Sequence, residues 1–142
     1  MSEDGTTASD DCIYTRSELE RVTHLAFQHA QKRRTKLTLV DTANVLETSR
    51  LWRKVVQEIT VQSRDFAVNY LFVDIAAMPI SINPNQFDVI LTENMFGVII
   101  SDEASVLTGS LGLLPSASVG TGTALFEPIH GSYFQATGKD IA

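Results

Sequence analysis

KLTLVDTANVLETSRLWRKVVQEITVQSRDFAVNYLFVD, residues 36–74, is the stretch whose reading decides the fold. Lys36 to Asp41 is a short β-prone run. Residues 48–60 change to helical spacing, with Leu51, Trp52, Val55, Val56 and Ile59 on one face. Val68 to Val73 is a second strand, and it too ends at an aspartate, Asp74. Strand, helix and strand in that order predict an α/β layered sheet with flanking helices. The strands are nearly continuous apolar runs, as expected where both sheet faces are covered.

The flanking sequence extends this pattern. Thr15-Arg-Ser-Glu18 is a capping box, after which Leu19, Val22, Ala26 and Ala30 recur at the spacing of a helix with one buried face. Lys32, Arg33, Arg34 and Lys36 close that helix. They read as an anion patch or as cations stabilising a helix C-terminus. The second reading is the stronger, because no aromatic residues interleave for base stacking. Further on, Asn83-Pro84 reads as an N-cap with proline in the first turn. Phe87 to Leu91 is a third strand and Asn94 to Leu107 a helix. Gly109, Gly112, Pro115, Gly120 and Gly122 then divide the chain into turns and short strands. Leu125-Phe126-Glu127 is the last extended piece, and residues 1–12 are a small, polar, acidic tail or surface loop.

Composition sets bounds. The 142 residues suffice for one domain at roughly 100–200 residues per domain. Apolar residues make up 44% and charged residues 20%, a globular balance. Seventeen acidic against 11 basic residues give a net charge of −6, which argues against nucleic acid as a partner. No apolar run reaches the roughly 18 residues that span a bilayer, so no membrane partner is expected. Cys12 is the sole cysteine, so no disulfide forms within the chain. With the acidic N-terminus, the reverse of a signal peptide, this leads to an expected cytoplasmic location.

Ligands of α/β folds gather just past the C-terminal ends of the strands, where Asp41 and Asp74 stand. Asp88 lies near a strand start and reads as structural. Asp74 and Asp102 are candidates for a hard cation, since magnesium takes one or two protein carboxylates together with water; capping or solvent contact is the alternative. His130 sits in EPIHGS, where Gly131 and Ser132 could offer backbone N–H groups to a phosphate or ribose. No GxGxxG, P-loop, CxxC or HExxH pattern is present.

Three longer stretches together carry a resemblance: VDTANVLETSRLWRKVVQEI (40–59), FDVILTENMFGVIISDEASVLTGSLGLLPSAS (87–118) and ALFEPIHGS (124–132). They resemble the isocitrate/isopropylmalate dehydrogenase family. Asn44-Val45-Leu46 is closer to its 3-isopropylmalate branch, which serves leucine biosynthesis. The resemblance runs from about Tyr14 to Ala142 and corresponds to the middle of such an enzyme. It implies a dimer using NAD and magnesium or manganese to oxidise 3-isopropylmalate and then decarboxylate it, the metal acting as a Lewis acid on the substrate oxygen. By this resemblance residues 13–123 are a dimer-forming α/β domain, and 124–142 begin the return to the cofactor-binding domain. The 104–118 stretch resembles the subunit interface.

Residue by residue, Tyr14 matches the family's proton-transferring tyrosine and Thr42 the position of its lysine partner. Asn44 matches a residue beside substrate and nicotinamide. Asp74, contributed across the dimer, and Asp102 match metal ligands, and Val98 stands where the family has a third metal aspartate. Glu127, His130, Gly131, Ser132 and Gln135 match the region around the adenosine part of NAD. Thr42 does not titrate near neutral pH and cannot replace an amine. Val98 and Asp102 share a helix face, so valine there removes one of two adjacent carboxylates. Two other readings accompany that of a dehydrogenase: a non-catalytic dimerisation module of the same fold, and an α/β domain binding a small anion with a metal.

Overall fold

In a computed structural model, which describes residues 1–63 and 65–129, β1 (Lys36–Asp41) is the middle strand of a three-stranded parallel sheet. It pairs with β2 (Ala67–Phe72) from Lys36↔Ala67 to Asp41↔Phe72, and with β3 (Val89–Thr92) from Leu37↔Val89 to Val40↔Thr92. Residues 37–41 of β1 are all buried, Thr38 included, as expected of a strand covered on both faces.

Successive side chains of a strand point to opposite faces. Leu37 and Leu39 enter one core with α1 (Arg16–Gln31) and α2 (Glu47–Gln62); Val40 enters a second with α3 (Val73–Ile82) and α4 (Asn94–Ala104). The first core joins Leu19, Ala26 and Phe27 to Trp52, Val55, Val56 and Ile59. The second holds Ala76, Ile80, Phe87 and Ile100. Thr15 and Glu18 cap α1, the Glu18 carboxylate accepting from the Thr15 N–H at 2.8 Å and its hydroxyl at 2.6 Å. Gly97 lets α4 lie close on β3, since a Cβ there would sit 3.0 Å from the Thr92 methyl.

Four local expectations change. Val73 does not end a strand but starts α3, a helix absent from the sequence reading because its apolar residues surround the axis and Pro79 lies inside it. Asn83 makes no side-chain cap, and Pro84–Gln86 is a short 3-10 turn. β3 runs from Val89 to Thr92, two residues later at its start than Phe87, because Asp88 is drawn to Arg33 and Arg34. The helix expected to reach Leu107 is α-helical to Ala104 and tightens into a 3-10 turn over Ser105–Leu107. Beyond it, β4 (Pro115–Ser118) and β5 (Leu125–Pro128) form an antiparallel pair.

The basic cluster is built into this frame. Arg33 Nε donates to Asp88 at 2.8 Å, and the Arg34 N–H donates to the same carboxylate at 2.9 Å. The Arg34 guanidinium also holds the carbonyls of Asn85 and Phe87, and Lys36 that of Gln86. These cations stitch the start of β3 to the α1–β1 turn. Burial pushes the Asp88 carboxyl up, but the Arg34 N–H and the Arg33 guanidinium outweigh it and hold it below its ordinary value.

Candidate functional site

The C-terminal edge of the sheet gathers the polar residues singled out above, and its elements explain their positions. Asp41, last in β1, is buried and fully engaged: Arg53 donates to it twice, at 2.8 and 2.9 Å, and the Ala43 N–H once, at 3.0 Å. The same guanidinium lies 4.9 Å from the centre of the Phe72 ring. Asp41 therefore fixes the turn after β1 and joins the ends of β1 and β2.

Thr42 follows in that turn. Its N–H donates to Ser49 Oγ at 3.2 Å, and its carbonyl accepts from Val45 and Leu46. Its Oγ1 is buried without a hydrogen-bond partner among the described residues. Asn44 is exposed and lines a cavity of about 340 Å³ with Arg50, Arg53, Lys54 and Phe72.

Tyr14 sits at the end of β3. Its ring packs edge-on to Trp52 at 5.7 Å. Its hydroxyl donates to Glu93 Oε2 at 3.0 Å and accepts from the Asn94 N–H at 3.2 Å. Glu93 is buried and caps α4, its Oε1 accepting from the Phe96 N–H at 2.9 Å. The Tyr14 phenol is raised above its ordinary value; burial is the largest cause and the neighbouring Glu93 adds to it, against the Asn94 N–H. Glu93 went unnoticed in the sequence, although a carboxylate just before a helix and three residues ahead of Phe96 has the spacing of a cap.

Val98 and Asp102 lie one turn apart on α4, and with Ser101, Ser116, Glu127 and Ile129 they line a cavity of about 600 Å³ between α4 and the β4–β5 pair. Asp102 is exposed, and no hydrogen bond reaches its carboxylate among the described residues. Asp74 is exposed in the first turn of α3 and, among the described residues, accepts only from the Ile75 N–H, at 3.0 Å. Both helices follow parallel strands, and Ser81 near the end of α3 donates to Glu103 near the end of α4 at 2.9 Å. The two helices thus run side by side in one direction. From Asn94, at the head of α4, to Asp102 is about 12 Å of rise. Asp74 and Asp102 therefore stand at different heights, and the described residues contain no cluster of three or more potential metal-binding side chains.

The structure thus groups Val98, Asp102 and Glu127 around one cavity, whose lining does not include Tyr14, Thr42, Asn44 or Asp74. His130, Gly131, Ser132 and Gln135 lie outside the described residues.

α3 and α4 also turn apolar side chains outward: Ile75, Met78 and Ile82 along α3, and Met95, Val98 and Ile99 along α4. No helix among the described residues is long and apolar enough to cross a membrane.

The sequence profile of the isocitrate/isopropylmalate dehydrogenases matches residues 1–142. The 3-isopropylmalate dehydrogenase of Bacteroides fragilis strain YCH46 is 53% identical over 140 residues, covering 99% of this chain and 40% of that protein. That of Staphylococcus aureus strain NCTC 8325 is 55% identical over 136 residues, covering 95% and 39%. The chain thus spans about 40% of the length of these relatives. Among solved structures, isocitrate dehydrogenase from Methylococcus capsulatus superposes on all of this chain and 43% of its own, with a TM-score of 0.94 and 38% identity. A beta-decarboxylating dehydrogenase from Thermococcus kodakarensis gives a TM-score of 0.84 at 38% identity, covering 99% of this chain and 42% of that one.

Proposed function

Because the chain belongs to the isocitrate/isopropylmalate dehydrogenase family, we propose that it is the dimer-forming portion of an NAD-dependent 3-isopropylmalate dehydrogenase of the leucine pathway, acting in the cytoplasm, and that taken alone it does not turn over substrate. The observation that carries this reading is the setting of Asp102. It is a carboxylate that no hydrogen bond or ion pair reaches among the described residues, on the outward side of α4, beside a cavity and next to uncovered apolar residues. The family resemblance assigns the second ligand, Asp74, to a second copy across the face that α3 and α4 present, in keeping with the different height at which this chain's own Asp74 stands.

One carboxylate from each of two chains fits magnesium or manganese, which complete their shells with substrate and water oxygens. Asp102 and a second copy's Asp74 would hold the ion, and it would supply a Lewis acid for the hydroxyl oxygen of the substrate. Of the residues assigned to NAD, Glu127 is described, and its exposed carboxylate on the cavity can accept from ribose hydroxyls. Tyr14, kept neutral, holds a proton for transfer. Thr42 holds none that moves near neutral pH, so one half of the acid–base pair is missing, a loss on the order of 10²–10⁴ in rate.

Calorimetry with Mn²⁺ tests the site. Asp102→Ala abolishes binding by the chain, and Val98→Asp tightens it on the order of tenfold by adding a carboxylate one turn away. Equal binding by the parent and Asp102→Ala refutes the assignment. NADH production by the 142-residue chain with Mg²⁺ and 3-isopropylmalate refutes the proposed inactivity.

A second reading, a non-catalytic dimerisation module, is favoured by the same uncovered stripes on α3 and α4. Both readings require a dimer in size-exclusion chromatography at micromolar concentration. Metal binding through Asp102 separates them.

A further inference from the structure

We infer that Glu93 is the positioning residue of Tyr14: its carboxylate holds the phenol in one orientation and in its protonated form. The inference rests on Tyr14 as the proton-transferring group and extends that reading to a residue without an assigned role.

The geometry is specific. Glu93 has two oxygens with two different duties, Oε1 accepting from the Phe96 N–H at 2.9 Å and Oε2 from the Tyr14 O–H at 3.0 Å. The first bond fixes the carboxylate to the head of α4; the second carries that fixation to a residue 79 positions away in sequence. The Asn94 N–H, one residue further, donates to the Tyr14 oxygen at 3.2 Å. The hydroxyl proton therefore has a defined direction and one lone pair of the oxygen is taken. Trp52, packed edge-on at 5.7 Å, fixes the ring. Glu93 itself is 7% exposed and Tyr14 is half-buried, so the carboxylate end of the pair is the shielded one.

The electrostatics follow from this arrangement. Ionising Tyr14 would place a phenolate 3.0 Å from a carboxylate and destroy the bond between them. Cys12 is the other titratable group that acts on Tyr14, and it acts in the same direction; the Asn94 N–H opposes both. A tyrosine in this setting is a proton donor that keeps its proton until the carboxylate is neutralised or withdrawn. A carboxylate serving α4 as a cap alone would need only Oε1.

The test is the titration of Tyr14 in the 142-residue chain labelled with ¹³Cζ-tyrosine, its resonance assigned by loss in Tyr14→Phe. Glu93→Gln keeps a carbonyl oxygen for the Phe96 N–H and presents an N–H to Tyr14. The phenol then accepts from two donors and no longer faces a charge, and its titration moves to lower pH. Glu93→Asp keeps the charge and is itself a favoured cap, but it is one methylene too short to serve both partners; the titration again moves down. A merely structural role predicts a loss of stability with the Tyr14 titration unmoved. An unmoved titration in a folded Glu93→Gln or, should that variant not fold, in Glu93→Asp overturns the inference. Because neither substrate nor metal is needed, a failure here is distinct from a failure of the dehydrogenase reading, which rests on Mn²⁺ binding.

Discussion

On one face of the sheet, α1 and α2 bury their apolar stripes and turn Arg16, Glu20 and Glu58 outward, where Arg16 pairs with both carboxylates. On the other face, α3 and α4 bury Ala76, Ile80 and Ile100 but turn Ile75, Met78, Ile82, Met95 and Ile99 to the same outside. A helix apolar on all sides is one that is covered on all sides. The first layer meets water with charged pairs; the second meets it with apolar side chains, the face on which we propose that a second copy sits. The candidate cation ligands Asp74 and Asp102 both lie in the second layer; Asp41, in the middle of the sheet, is already neutralised by Arg53.

Mutations sharpen this contrast, beginning with the largest effect. Leu39→Ala empties the closed core and lowers stability by about 2–5 kcal/mol. In urea denaturation that loss is the same at every protein concentration, whereas for Met78→Ala on the outward stripe, exposed in one chain, it grows as concentration rises and the parent gains stability by association. Equal behaviour of the two variants breaks the comparison. Arg53→Ala leaves a buried carboxylate without its partner. The expected loss, about 3 kcal/mol, is concentration-independent and disappears in the double variant with Asp41→Asn.

Ile99→Glu acts on the open face. It changes the intrinsic stability by no more than about 0.5 kcal/mol, since the side chain is exposed in one chain. In size-exclusion chromatography it converts a dimer to a monomer. A dimer that persists removes α4 from the interface.

The smallest effect at neutral pH concerns acid. Asp88, Glu18 and Glu58 are all held below their ordinary values in the folded chain. The stability they contribute is complete above the ordinary carboxylate range and is lost as pH falls through the lowered values. Asp88→Asn therefore flattens the acid limb of the stability–pH curve and leaves the slope above pH 6 unchanged.

What the sequence disclosed follows the same division. α1, β1 and α2 were legible because each carries one periodicity and recognisable ends, as at Thr15 and Glu18. α3 was not, because VDIAAMPISI has no polar face to set a period and its proline argues against a helix. The strands gave their identity but not their limits, since Asp88 begins β3 late through ion pairs with residues 54 and 55 positions earlier. Of the residues named from the resemblance, Val98, Asp102 and Glu127 come together at one cavity, whereas Tyr14, Asn44 and Asp74 do not line it. Glu93 could not be named, because its partner Tyr14 is distant in sequence and only the folded chain joins them.

Gly97 has a mechanical consequence. With the Thr92 methyl 3.0 Å from where a Cβ would stand, the head of α4 meets the end of β3 tightly through a side-chain contact. If a second copy docks on the outward stripe as proposed, a helix seated this closely has little conformational entropy left to lose. A single added methyl, Gly97→Ala, would require the Thr92 side chain to give by a few tenths of an ångström, a local cost at the head of α4.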